Sequence, residues 1–174
     1  MITGKTIALR APEPNDADLL YEWENDRNTW SVSGTTLPYS KHAILEFIRN
    51  TQHDLYTDKQ LRLMIVVNNT GECVGCIDLF EFDPQHLRAG IGILIAPRYR
   101  KKGFAGEALE TLIQHCFEIL GIHCLYANIP KGNKASFMLF RSLKFNIVGE
   151  KKDWIKEGKK WKSEFLLQRL NRNS

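Results

Sequence analysis

The segment Arg98-Tyr-Arg-Lys-Lys-Gly-Phe-Ala-Gly106 constrains this chain more than any other. An apolar run, Ala89 to Ile95, stops just before it and reads as a strand buried on both faces. A helix opens inside it. Apolar residues at 104, 105, 108, 109, 112, 113, 116, 117 and 120 recur at helical spacing, with Glu107, Glu110, Gln114 and Glu118 opposite and Gly121 as the stop. A strand, a short basic loop and a helix N-terminus, in that order, form a place where backbone N–H groups can receive a phosphate. Four of the five residues 98–102 are Arg or Lys, and Gly103, Ala105 and Gly106 leave the backbone accessible. A plain basic turn ahead of a helix has the same composition, so the loop alone leaves both readings open.

The rest of the chain alternates strands and helices. Thr6 to Arg10 reads as a strand broken by Pro12 and Pro14, and Asn15 as the cap of a helix to about Glu24. Residues 27–39 have no period and read as a loop. Ser40 caps a second helix to about Asn50, and residues 51–60 read as a polar, mobile link. Arg62–Val67, a turn at Asn68–Gly71, Glu72–Phe82 and Leu87–Ile95 form a meander. After the long helix come a strand His123–Ile129, a helix capped by Asn133 and running to about Leu143, and two strands, Asn146–Ile155 and Lys159–Leu170, joined at Glu157-Gly158. This order indicates one α+β domain over residues 1–174, a largely antiparallel sheet with about four helices.

At 174 residues, with 43% hydrophobic and 25% charged residues, the chain can bury a full core. No apolar run has the length of a membrane span, and the N-terminus lacks a signal-peptide core, so a soluble cytoplasmic protein is expected. The net charge of +4 is mild, and the C-terminal basic residues are mixed with acids, which argues against a nucleic-acid footprint. Cys73 and Cys76 form a C-x-x-C within a strand pattern that points them to opposite faces, and no second pair completes a zinc site. With Cys116 and Cys124 they are expected to be reduced, buried thiols; no metal is expected.

The order of elements and two spaced blocks resemble the GNAT superfamily of acetyl-CoA-dependent N-acetyltransferases. Arg100-Lys-Lys-Gly103-Phe-Ala105 matches the family pattern Arg/Gln-x-x-Gly-x-Gly/Ala, after a strand and at a helix start. Asn133-Lys-Ala-Ser-Phe-Met-Leu-Phe-Arg-Ser-Leu-Lys-Phe145 is similar to the Asn-x-x-x-x-x-x-Tyr-x-x-x-Gly-Phe segment, and Val148-Gly-Glu150 follows it. Within the superfamily the chain is most similar to spermidine acetyltransferases and ribosomal-protein N-terminal acetyltransferases.

The resemblance implies that acetyl-CoA lies between two splayed strands. Its pantetheine arm would pair with the backbone of Ile93, Leu94 and Ile95, on a strand carrying a bulge. Its diphosphate would sit on Arg100, Lys101, Lys102, Gly103, Phe104, Ala105 and Gly106, and Asn133 and Ser136 would border it. An N–H near Ile93 would steady the developing oxyanion. Two positions depart from the family. Phe140 replaces the Tyr that usually protonates the leaving thiolate, and Lys144 replaces Gly. A lost general acid costs about 10²–10⁴-fold in rate. Asp78, Glu81 and Asn133 are the candidate catalytic groups. Strand alternation places Asp78 and Glu81, three apart, on opposite faces, so at most one serves the site.

Residues 13–26 carry Glu13, Asp16, Asp18, Glu22, Glu24 and Asp26 and no Lys or Arg. In this superfamily the first helix borders the acceptor cleft, so Glu22, Glu24, Asp26 and Trp30 are candidates for holding a cationic amine. A polyamine-like acceptor is the first expectation. An N-terminal (ribosomal) protein or amino-sugar acceptor is the second, and a catalytically weak CoA-binding protein the third. A homodimer through the Trp154–Trp161 hairpin is expected by analogy.

Overall fold

The computed structural model describes residues 1–27, 30, 35–51 and 54–172. The strands are β1 (Ile2–Thr3), β2 (Ile7–Arg10), β3 (Leu61–Val67), β4 (Cys73–Asp83), β5 (Arg88–Ile95), β6 (Cys124–Pro130), β7 (Asn146–Glu157) and β8 (Lys160–Leu170). They form one sheet in the order β1-β2-β3-β4-β5-β6-β8-β7. Every pairing is antiparallel except β5–β6. The helices are α1 (Ala17–Glu24), α2 (Lys41–Asn50), α3 (Leu55–Asp58), α4 (Phe104–Glu118) and α5 (Lys134–Ser142). Among the described residues no helix is long and apolar enough to cross a membrane.

Cross-strand partners share a face of the sheet, which sorts the side chains into two sets. Leu63, Ile77, Leu79, Ile91, Leu125, Ala127 and Ile129 lie on one face and are buried. α4 and α5 cover that face. Arg169, the partner of Leu125, reaches Glu110 on α4 and the Leu143 carbonyl just after α5. The stripe foreseen on α4 is the one buried here, through Ala108, Leu109, Leu112, Ile113 and Cys116. The other face carries Arg62, Cys76, Asp78, Phe80, Gly90, Gly92 and Tyr126. α1 and α2 cover its β3 side, where Arg62 meets Glu24 of α1 and lies 5.7 Å from the Phe47 ring of α2.

α4 is pinned to the sheet near its start. Glu107 in its first turn accepts the Thr6 N–H (2.6 Å), the Ile7 N–H (3.2 Å) and the Thr6 hydroxyl. These bonds hold its carboxyl below the usual range, although burial opposes the shift. Other local expectations are met. Ser40 caps α2 by accepting the Ala43 N–H at 3.0 Å, and all four cysteines are buried and unpaired with one another.

Three local readings are corrected. Asn15 is not the cap of α1. A 3-10 turn, Pro14–Asp16, precedes it, and the buried Asp16 carboxylate accepts the Glu13 N–H and both Arg10 Nη groups. A tertiary ion pair therefore decides the helix start. Residues 54–58 are not a plain link, because Asp54 accepts the Tyr56 N–H and caps α3, which buries Leu55. The final turn sits one residue later than expected, between Glu157 and Lys160. The loop expected over 27–39 falls partly outside the described residues.

Lys144, in place of the family glycine, follows α5 with φ 63°. The backbone keeps the left-handed conformation that favours glycine there, and the lysine side chain makes it costly. Lys144→Gly is therefore expected to raise stability by about 0.5–1 kcal/mol in urea unfolding. Gly75 shows the reverse case. A Cβ there would stand 2.1 Å from the Leu94 carbonyl oxygen, a backbone atom that cannot swing away. Gly75→Ala is expected to lower stability by about 1–3 kcal/mol in the same measurement.

Candidate functional site

β5 and β6 start as a parallel pair and then part. Their register covers Arg88–Gly90 against Cys124–Tyr126 and ends there. Each strand continues on its outer side. β5 stays paired with β4 to Ile95, and β6 stays paired with β8 to Pro130. A gap therefore opens between residues 91–95 and 127–130.

The ladders decide which backbone groups face it. Ala96 donates its N–H to Val74, so the hydrogen-bonded rungs of β4–β5 fall on Leu94, Gly92 and Gly90. Ile93 and Ile95 then turn their N–H and C=O groups away from β4, into the gap. On the other side, Asn171 donates to His123 and Lys131 to Ser163, which assigns Ala127 and Ile129 to β8 and leaves Asn128 facing the gap. Pro130, at the gap's mouth, has no N–H to leave unpaired. Leu94 is thereby corrected, since its backbone groups belong to the Cys76 rung of β4. The expected bulge is also misplaced. β5 keeps one register with β4 from Gly90 to Ile95, and the irregularity lies on β4 between Phe80 and Asp83.

The mouth of the gap leads to the α4 N-terminus. After β5, a 3-10 turn, Pro97–Tyr99, buries Tyr99, whose hydroxyl donates to Glu72. Its ring faces the Arg98 guanidinium at 4.7 Å and Lys102 Nζ at 5.5 Å. Arg100 Nε donates to the Ile95 carbonyl at 3.0 Å. Lys101 (φ 62°) and Gly103 (φ 88°) adopt left-handed conformations that turn the loop into the helix. Gly103 is the helix cap and has no side chain to satisfy the first amides; the first helical bond runs from Glu107 N–H to Gly103. The N–H groups of Phe104, Ala105 and Gly106 precede that ladder. No heavy atom lies within 4 Å of a Cβ built on Gly103, so the space beside this turn is open. Open space, orphan amides and three exposed cations (Arg100, Lys101 and Lys102) fit a diphosphate.

The candidate carboxylates lie on the α1–α2 face. Arg62 grips Asp78 with two bonds, Nε–Oδ1 at 2.8 Å and Nη2–Oδ2 at 2.9 Å, and donates to Glu24 through Nη1. Burial opposes its charge, but Asp78 and Glu24 hold the guanidinium well above its ordinary value. Both Asp78 oxygens are committed, which corrects the reading of Asp78 as a base. Glu81 is different. It has φ 50° at the β4 bulge and accepts the Tyr126 hydroxyl at 2.5 Å. Tyr126 pairs with Gly90 and Gly90 with Phe80, so Tyr126 shares the face of Asp78. The extra residue in the bulge resets alternation and brings Glu81 and Asp78 to one side, contrary to the expectation of opposite faces.

Of the other expected residues, Asn133 has its side-chain oxygen engaged in capping α5, 3.2 Å from the Ser136 N–H, which corrects the expectation of a catalytic role. Phe140 is sealed in the core at 4% exposure, its ring edge-on to Phe145 with centroids 5.0 Å apart. Trp30 donates its indole N–H to the Glu24 carbonyl at 2.8 Å, and Glu22 is exposed on α1. Asp26, half-buried, follows that helix.

Phe80, Gly90, Gly92 and Tyr126 complete this face of the site and lie outside the sequence motifs. The Phe80 ring lies against Gly90, where a Cβ would meet ring atoms at 2.2 Å, and edge-on to Tyr126 at 6.0 Å. The alternating Gly-Ile-Gly at 90–92 was the available signal, because it strips one face of β5 of side chains.

Known proteins place this arrangement. The model of the acetyltransferase (GNAT) domain family matches residues 6–146. A spermidine N(1)-acetyltransferase of Escherichia coli K12 is 27% identical over 153 residues, covering 86% of this chain and 78% of that protein. The uncharacterized N-acetyltransferase p20 of Bacillus licheniformis is 29% identical over 151 residues, covering 86% and 84%. The fold superposes with a TM-score of 0.86 on the Vibrio cholerae spermidine N-acetyltransferase solved with CoA and spermine, at 22% identity and covering 95% of this chain and 96% of that one. Sheet, gap and uncapped helix start are thus carried by a chain that belongs to the GNAT acetyltransferase family.

Proposed function

We propose that this protein transfers an acetyl group from acetyl-CoA to a primary amine of a small polycation of the polyamine type. The gap between β5 and β6, lined by unpaired backbone groups and ending at the uncapped start of α4, is the observation that carries this reading. Ile93 and Asn128 offer N–H and C=O groups to the amides of a pantetheine arm, and Ile95 offers its N–H, its carbonyl being held by Arg100. Arg100, Lys101, Lys102, Gly103, Phe104, Ala105 and Gly106 hold the diphosphate, and the helix dipole adds about 0.3–1 kcal/mol for an anion there. Asn133 and Ser136, at the start of α5, border the same mouth. Acetyl-CoA supplies the activated acyl group. The Ile93 N–H, aimed into the gap, donates to a carbonyl oxygen that gains charge as the amine attacks.

The charge on the α1–α2 face favours a cationic acceptor. One Arg62 guanidinium faces two carboxylates, Asp78 and Glu24, which leaves one negative charge on that cluster. Glu81 adds another beside Phe80 and Tyr126, and Asp26 follows just past the end of α1, while Glu22 is exposed on another face of that helix. The two spermidine acetyltransferases just compared support the same acceptor class. A second reading, CoA binding with slow chemistry, is favoured by one observation only: the sealed Phe140 ring has no hydroxyl to give.

The test is release of free thiol from acetyl-CoA with a panel of polyamines, amino sugars and peptides. Turnover is expected with spermidine at a kcat/KM above that of the peptides and sugars. Turnover with peptides alone would reject the polyamine acceptor, and CoA binding without turnover would favour the second reading. Gly103→Ala probes the donor site. Its added Cβ enters the open space beside the turn and strains φ 88°. An increase of about ten-fold or more in KM for acetyl-CoA is expected, with a smaller effect on kcat.

A further inference from the structure

We propose that Tyr126 and Glu81 form the acid–base pair of this site, Tyr126 giving a proton to the leaving sulfur and Glu81 taking the one shed by the amine. The inference rests on the acetyltransferase reading and adds the residues that move its protons.

Tyr126 stands on the last rung before β5 and β6 part. A donor whose phosphates sit at α4 and whose arm runs back along β5 has its reactive end toward that rung. On the β5 side of this face Gly90 and Gly92 carry no side chains, and the half-buried phenol stands between the Phe80 ring, edge-on at 6.0 Å, and its β8 partner Gln168. Its hydroxyl donates to Glu81 Oε2 at 2.5 Å. Glu81 is exposed and held in a left-handed conformation at the bulge, a strained backbone that brings its carboxylate to this hydroxyl. Burial, and then the Glu81 carboxylate, push the phenol well above its ordinary value, so the hydroxyl holds its proton in the ligand-free state. Position 140 offers nothing equivalent, because its ring is sealed against Phe145.

The protons balance. The amine nitrogen forms the C–N bond as the C–S bond breaks. The sulfur's electron pair takes the Tyr126 hydroxyl proton. The nitrogen loses its extra proton to Glu81, which passes it to the Tyr126 oxygen along their hydrogen bond. The pair ends as it began, and one proton has moved from nitrogen to sulfur. The proton lost when the ammonium form becomes a free amine goes to solvent through the exposed side of Glu81.

The experiment compares Tyr126→Phe, Glu81→Gln and the double variant with the unaltered protein, using spermidine turnover, CoA affinity by calorimetry and ultraviolet titration of the tyrosines in the ligand-free state. Tyr126→Phe is expected to lower kcat about 100-fold, with CoA affinity and KM for acetyl-CoA within about three-fold. The double variant is expected to lose no more than the worse single one, as a pair acting in one step requires. In the titration, Glu81→Gln should let one phenol ionise at lower pH, and Tyr126→Phe should remove that phenol. Retention of kcat within about three-fold in Tyr126→Phe, or strictly multiplicative losses in the double variant, would overturn the pair and leave the acetyltransferase reading intact. An unaltered protein that binds CoA but acetylates no amine would overturn both.

Discussion

Everything at this site follows from two strands that cannot stay together. β5 is held by β4 and β6 by β8, each through a continuous antiparallel ladder on its outer side. The parallel contact between them closes only three rungs. A parallel ladder is slightly weaker per residue, so when sheet twist pulls the outer ladders in different directions the inner one gives way. The groups it exposes are costly. A buried backbone donor or acceptor without a partner loses about 1–3 kcal/mol. In a gap that opens to a basic loop, such groups stay within reach of an amide-bearing ligand.

The two faces of the sheet divide the remaining work. The α4–α5 face is an apolar core, which fixes β5 and β6 relative to the uncapped start of α4. The α1–α2 face is where charge collects. Asp78 and Glu24 share one guanidinium, a geometry that settles their positions and leaves a residual negative charge. Removing Arg62 would leave two partly buried carboxylates facing each other, so the clamp is structural as well as electrostatic. Glu81 stands outside this clamp, which frees its carboxylate for the Tyr126 hydroxyl.

How much of this could be read from the chain depended on the range of the interactions involved. α4 was legible because its apolar stripe is local and wide. The α+β class, the mostly antiparallel sheet and the buried cysteines followed from similar short-range patterns. The start of α1 was misread because Arg10, six residues away, recruits Asp16. The Arg62 clamp joins residues 16 and 38 positions apart, and no local pattern marks it. The parting of β5 from β6 is a difference between ladders that meet only in three dimensions, so only the family resemblance anticipated it. Alternation failed at Glu81 for a definite reason: a single extra residue in β4 reverses which side every later side chain faces.

The two departures from the family pattern, eleven residues or fewer from the α5 cap, differ in kind. At position 144 the backbone demands a left-handed residue and the chain supplies lysine, so the consequence is a local conformational cost. At position 140 the backbone demands nothing unusual. The aromatic ring packs in a sealed pocket against Phe145, and the loss of the hydroxyl removes a polar atom from surroundings that offer it no solvent. A hydroxyl buried there would need a partner of its own. A strand residue at the closed end of the gap already has one, since Tyr126 meets Glu81 and lies on the face stripped of side chains at Gly90 and Gly92. A hydroxyl needs a partner and some exposure to exchange a proton; Tyr126 on β6, half-buried and bonded to Glu81, has both, and the sealed position 140 on α5 has neither.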